Sequence, residues 1–288
     1  MISPRILTAT VDGGRLATHE RQAAVPWWSL TKTALAAAAL ALVARGRLSL
    51  DAPAGGRSAT LRQLLQHTAG IPEYGALPAY HEAVARGDAP WSVDELVRRV
   101  DADRLIFSPG QGWRYSNVGY LFVRRLIEAT AGASLDEALR ALVFEPLGVS
   151  GVTVARAPED LDGTAWGNRG RYHPGWVYHG LAVGTPAEAA LFLHRLLAGG
   201  LLPAPLMGAM QEPYPLGGPV EGRPWRTAGY GLGLMVDVAS TRGLAIGHTG
   251  QGPGSVSAAF HFPELARTVA AFAPVEDPGV VERAVLEA

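Results

Sequence analysis

The sequence contains no cysteine. Disulfides, thiolate metal sites and thiol nucleophiles are therefore excluded. It carries little charge: Asp, Glu, Lys and Arg make up 18% of the 288 residues, and the formal net charge is −1. No basic cluster or stripe appears, so no nucleic-acid partner is expected. Long hydrophobic runs are missing too. The longest, 34–44, is well short of the about 20 residues that span a bilayer, so no membrane segment is expected. "MISPRILTATVDGG" has no long apolar stretch and reads as strand and turn. No secretory signal is evident there, and a cytoplasmic protein is the expectation. The eight histidines form no H-E-x-x-H or comparable cluster, and no glycine-rich loop leads from a strand into a helix. Neither a metal nor a nucleotide cofactor is expected.

What is present is a globular composition, 48% hydrophobic, in a chain long enough for a sizeable core. "ILTATV" and "RLATHE" flank Asp12-Gly13-Gly14, a hairpin signal. Helical signals dominate from Ser29 to about Ala198. Thr60 with Gln63, Ser92 with Glu95, Ser134 with Glu137 and Thr185 with Glu188 have capping-box spacing, and Pro186 occupies a first helical position. Gly46, Gly70, Gly132 and Gly199 stand where helix ends favour glycine. After Gly200 come short strand-like runs, "GYGLGLMVDVA", "LAIGHTG", "SVSAAFHF" and "TVAAFAPV", then a terminal helix. The expected fold class is α+β. One antiparallel sheet, built from both termini and flanked by helices, takes residues 1–45 and 181–288, and a mostly helical region is inserted at 46–180. Residues 151–180 show no period and read as a long loop. Its Trp166, Tyr172, Trp176 and Tyr178 are expected to wall a substrate site, with Trp176 the direct probe.

Three short motifs carry chemistry. In "PWWSLTKTALAAAALALVARG", Ser29 and Lys32 are three apart, hence on one face of a helix. A serine hydroxyl is a weak nucleophile until a base takes its proton. A lysine in apolar surroundings shifts its pKa readily and can be that base. In "PGQGWRYSNVGYLF", Tyr115 can serve as a general base if a neighbouring ammonium eases its ionisation, and the Asn117 amide can orient a substrate. In "IGHTGQGPGSV", His248, Thr249, Gly250 and Gln251 end a strand whose edge can bind substrate backbone. Alone, each motif is better explained as a cap, a packing turn or a hairpin.

Together, in the order S-x-x-K, Y-x-N, H-T-G, they resemble the serine β-lactamase and penicillin-binding-protein superfamily, and most of all class C β-lactamases and the related esterases and D-aminopeptidases. "GRLSLDAP", "TLRQLLQHTAGI", "FEPLGV" and "GYGLGL" are similar to that family's recurrent phrases. The resemblance implies a serine hydrolase of small-molecule esters, amides or β-lactams that needs no cofactor. It implies Ser29 as acylated nucleophile and Lys32 with Tyr115 as proton-transfer pair. Asn117, His248, Thr249, Gly250 and Gln251 would line the substrate site, with the backbone N–H groups of Ser29 and Gln251 as oxyanion donors. The chain departs from the family in carrying His248 where lysine is usual and Trp28 where a small residue precedes the serine. A histidine of ordinary pKa near 6.5 would gain charge toward pH 6 and then hold a substrate carboxylate better. An esterase or amidase is the first expectation; a β-lactamase or DD-peptidase-like enzyme, or a catalytically weak binding module of the same fold, are the alternatives. Oligomeric state is left open.

Overall fold

The computed structural model describes residues 5–18, 23–168 and 170–288. The expected hairpin is there: β1 (Leu7–Asp12) and β2 (Arg15–Thr18) join through Gly13 and Gly14. Both glycines have positive φ, +52° and +83°, the backbone that a two-residue type I′ turn demands. The end of "RLATHE" lies outside the described residues. β1 pairs antiparallel with the last strand, β11 (Arg267–Ala273). Inward from it run β10 (Ser255–Phe262), β9 (Gly243–Gly252), β8 (Met235–Ser240), β7 (Ala228–Tyr230) and the short β6 (Tyr214–Pro215). The result is one eight-stranded antiparallel sheet in the order β2-β1-β11-β10-β9-β8-β7-β6. Its strands come from both ends of the sequence, as expected.

Helices cover both faces. α9 (Gly279–Glu287) packs on β10 and β11 from one side, burying Phe260, Val269, Ala271 and Trp225 with its Val281 and Val285. On the other side lie α7 (Pro186–Leu197) and α1 (Thr31–Ala44), whose cluster takes in Ala9, Val11, Ala259, Ala270 and Phe272. α1 is apolar all round, and every residue from Thr31 to Leu42 is buried. A helix with no polar face is stable only when enclosed. Here the sheet encloses it on one side, and α5 (Asn117–Ala131) and α6 (Leu135–Leu139) on the other. Two buried threonines at its start find partners: Thr31 accepts from Ala182 N–H at 3.0 Å, and Thr33 donates to the Gly233 carbonyl at 2.8 Å.

The remaining helices are α2 (Leu61–Leu65), α3 (Pro78–Arg86), α4 (Val93–Arg99) and α8 (Ala204–Gln211). Reciprocal capping boxes form at Thr60–Gln63, Ser134–Glu137 and Thr185–Glu188, and Ser92 caps α4 through the Glu95 N–H. Three expectations need correction. α8 occupies a stretch read as strand-only, because "APLMGAMQ" is short and buries little besides Met207 and Met210. Gly70 is not a helix cap: α2 ends at Leu65, and the positive φ at Gly70 instead lets its backbone press against Phe107, whose carbonyl would lie 2.1 Å from a Cβ. Residues 151–180 are more ordered than a loop. They hold β4 (Thr153–Ala155), which with β3 (Val25–Pro26) and β5 (Leu181–Gly184) forms a second sheet, order β3-β5-β4. Among the described residues no helix is long and apolar enough to cross a membrane.

Candidate active site

Ser29 sits in a single 3-10 turn, Trp28–Leu30, that leads straight into α1. Lys32, in the first turn of α1, is fully enclosed. It is the sole lysine of the chain, beside 24 arginines. Its ammonium has three donors and three acceptors within reach: Ser29 Oγ at 3.1 Å, Asn117 Oδ1 at 2.6 Å and His179 Nε2 at 3.2 Å. The rings of Tyr115 and Tyr120 lie 4.8 and 5.6 Å from Nζ, centroid to atom. Burial drives its pKa down from 10.5 to about 7, and the negative charge of Glu73 holds part of it up. A lysine that is half neutral near pH 7 is a usable base beside a serine.

Tyr115 lies beside Ser29, which favours the ionised phenol. Its environment overturns the expectation of an easily ionised phenol. Burial pushes its pKa well above the usual 10, only partly offset by Ser29. Tyr115 therefore holds its proton at neutral pH. Its ring is stacked on His67, centroids 4.2 Å apart. His67 accepts the Ser116 N–H at 3.1 Å, so it buttresses the turn carrying Tyr115.

Asn117 opens α5, but the cap is Ser116, whose hydroxyl accepts from Gly119 N–H at 3.0 Å. That leaves the Asn117 side chain free to bridge. Its Oδ1 takes Lys32 and its Nδ2 donates to Glu73 Oε1 at 3.1 Å, while its backbone N–H binds Glu73 Oε2. Glu73 and His179 were both missed by the sequence reading. Glu73 meets Asn117 across 44 residues, a separation no short motif spans. His179 is 2% exposed, and its role depends on Lys32, 147 residues away.

The strand motif splits between the two faces of the sheet. His248 points toward Tyr115 and is fully buried. Its Nε2 lies 2.9 Å from Tyr230 Oη and its Nδ1 2.6 Å from the Thr249 carbonyl. Burial, with Lys32 nearby, lowers its pKa to about 3. The expected gain of charge near pH 6 therefore does not occur at this residue. Thr249 faces the other way and donates to Glu282 of α9 at 2.6 Å; Glu282 is itself paired with Arg223. Neighbours on a strand point to opposite faces, so the Thr249 hydroxyl does not line the site. Gly250 is pressed against the serine turn: a Cβ there would lie 2.7 Å from Ser29 N and 2.5 Å from Ser257 Oγ. β8 pairs with β9 only as far as Gly247, so among the described residues the segment beside Ser29 has no strand neighbour on that side.

A cavity of about 120 Å³ opens over Ser29, walled by Trp28, Tyr74, Tyr80, Asn117, Tyr172, Val177, His179 and Gln251–Pro253. The aromatic segment thus reaches the site through Tyr172. Trp176 does not: it is 1% exposed, packed edge-on against Tyr80 and Trp91. Trp28 has φ +48°, a conformation that costs a bulky residue of order 1–3 kcal/mol. A separate apolar cavity of about 160 Å³ abuts Tyr115, between Trp113, Trp225 and Tyr230. Among the described residues no group of three His, Asp or Glu side chains is placed to hold a metal ion.

A fold with one antiparallel sheet between helices, and a serine and lysine at the head of its central helix, defines a class, and comparison with known proteins agrees. Residues 6–286 match the β-lactamase family model, and the chain belongs to that family. It is 35% identical over 142 residues, 42% of its length, to esterase EstB of Burkholderia gladioli. It is 23% identical over 261 residues, 80% of its length, to penicillin-binding protein 4* of Bacillus subtilis. Those matches cover only 36% and 54% of the two relatives. Among solved structures, a D-stereospecific amidohydrolase from Streptomyces sp. superposes with a TM-score of 0.78 at 26% identity, over 97% of this chain and 93% of that one.

Proposed function

We propose that the protein is a serine hydrolase that opens a small ester or amide through an acyl-enzyme at Ser29. The observation that carries this is the enclosed Lys32 ammonium within 3.1 Å of Ser29 Oγ, with Tyr115 beside the same serine. Neutral Lys32 takes the hydroxyl proton as Oγ attacks the carbonyl carbon. The oxyanion that forms is held by the backbone N–H groups of Ser29 and Gln251. The Tyr115 phenol gives its proton to the leaving oxygen or nitrogen as the C–O or C–N bond breaks, and the Lys32 ammonium, which carries the proton taken from Ser29, reprotonates it. Water then attacks the acyl carbon by the reverse relay, and Ser29 is released. Asn117 fixes Lys32 and Glu73 fixes Asn117.

Neutral His248 favours esters and amides over carboxylate-bearing β-lactams. A charge-assisted hydrogen bond, about 1.5–3 kcal/mol, is not available from an imidazole with both nitrogens bound to protein. Among the described residues, no arginine or lysine lines the cavity over Ser29. The test is a panel of p-nitrophenyl esters, D-amino acid amides and nitrocefin, with fluorophosphonate labelling read by intact mass. Esters or amides are turned over, one adduct forms, and Ser29→Ala loses both. An adduct on another serine, or turnover that survives Ser29→Ala, refutes the assignment. Absence of any turnover or adduct favours a binding module.

A further inference from the structure

We infer that the Trp28 indole is a fixed wall that limits the length of the acyl group, shutting the cavity over Ser29 off from a second cavity in the same cleft; this rests on the serine-hydrolase reading. The second cavity, about 170 Å³, is walled by Leu161, Trp166, Asn168 and Gly254. It shares Trp28, Tyr172 and Pro253 with the cavity over Ser29. The indole therefore has empty space on both sides.

Several contacts hold it in place. Its Nε1 donates to Ser255 Oγ at 2.9 Å. Its ring meets Tyr172 edge-on, centroids 5.8 Å apart. Gly252 makes room for it: a Cβ there would lie 2.3 Å from the ring. The residue keeps a left-handed backbone that a bulky side chain seldom adopts. A rotatable surface side chain would need none of these arrangements.

The wall faces the acyl group. Tyr115 hands its proton to the leaving group, so that group departs on the Tyr115 side. Tyr115 does not border the cavity over Ser29, whereas Asn117, His179 and Trp28 do. The acyl group occupies that cavity and runs into the indole. The substrates this implies are esters or amides of compact acyl groups, and long linear acyl chains are excluded.

The experiment measures kcat/KM for p-nitrophenyl butanoate and octanoate in the wild type and in three variants. Trp28→Gly removes the wall and accepts φ +48° without strain. Trp28→Leu keeps apolar packing should the glycine variant not fold. Trp28→Phe keeps a ring in place. Each methylene admitted to an apolar site is worth about fourfold, so the octanoate-to-butanoate ratio should rise at least tenfold in Trp28→Gly, by less in Trp28→Leu, and by under threefold in Trp28→Phe. Using a ratio cancels any shift of Ser29 that slows both substrates alike. A ratio that stays flat in the glycine and leucine variants while butanoate is still cleaved overturns the inference. So does a wild type that prefers octanoate. A wild type that cleaves neither these esters nor the D-amino acid amides, and takes no fluorophosphonate adduct, refutes the serine-hydrolase reading instead.

Discussion

Because Lys32 is the only lysine, its protonation can be read without interference. Protein labelled with ¹³C,¹⁵N-lysine should give a single side-chain signal whose shift titrates with a midpoint of about 7, far below the ordinary 10.5. That displacement corresponds to roughly 5 kcal/mol against the ammonium form, and enclosure is its main cause. The groups facing the ammonium are Ser29, Asn117 and His179 by hydrogen bond, the Tyr115 and Tyr120 rings, and, through space, Glu73, His67 and His248. His179→Phe keeps the site filled but deletes one of three acceptors. A hydrogen bond to a charged group is worth about 1.5–3 kcal/mol, and one pH unit is 1.36 kcal/mol. The Lys32 midpoint should therefore fall by about one to two units. kcat/KM reports ionisations of the free enzyme. Its acid limb, where activity rises as Lys32 loses its proton, should move to lower pH by the same amount. His179→Gln, which retains an acceptor, should largely restore both. A wild-type midpoint near 10, or a midpoint that rises in His179→Phe, would refute the reasoning.

Other consequences can be checked in parallel. Lys32→Met should inactivate the protein yet raise its Tm, more at pH 6 than at pH 9; the penalty for burying the ammonium applies in full below about 7 and fades as the unfolded chain's lysine also loses its proton. Tyr115→Phe should slow amides and alkyl esters by about 10² or more but p-nitrophenyl esters far less, since p-nitrophenolate leaves without a proton; equal losses would remove Tyr115 from the donor role. Gly250→Ala, whose methyl would collide with Ser29 N and Ser257 Oγ, should cost at least about 10² in kcat, with acyl labelling slowed in step. His67, His179 and His248 are neutral when folded, their pKa lowered by burial, but protonate near 6.5 when unfolded. The unfolded state thus binds more protons as pH falls, and stability should drop below pH 6.5 by about 2 kcal/mol per histidine at pH 5, visible as a falling Tm.

The sequence already carried the nucleophile turn, the capping boxes, the hairpin and the pairing of the two chain ends, because each depends on residues close together or on a strict period. The orientation of Thr249 was legible as well: adjacent residues on one strand cannot both face one site, and His248 had already taken that face. A single lysine among 24 arginines was a signal in plain view. A guanidinium, charged at every accessible pH, could not act as the base proposed for Lys32. Glu73 and His179 were out of reach because their role is set by packing between distant segments. Trp176 misled because a large aromatic residue in an irregular segment can as easily hold that segment down, as its contacts with Tyr80 and Trp91 do, as face a ligand.

The all-round burial of α1 bears on where this molecule can be altered. From Thr31 to Leu42 no position faces water, and five of its alanines are completely enclosed. Any larger side chain there forces neighbours off their rotamers at about 1–3 kcal/mol each. The helix that carries Lys32 has little room for variation. The walls of the cleft are different. Tyr74, Tyr80, Tyr172 and Val177 come from segments outside that helix. A combinatorial library aimed at new substrates belongs in those four positions, and one that randomises the central helix would mostly sample chains that do not fold.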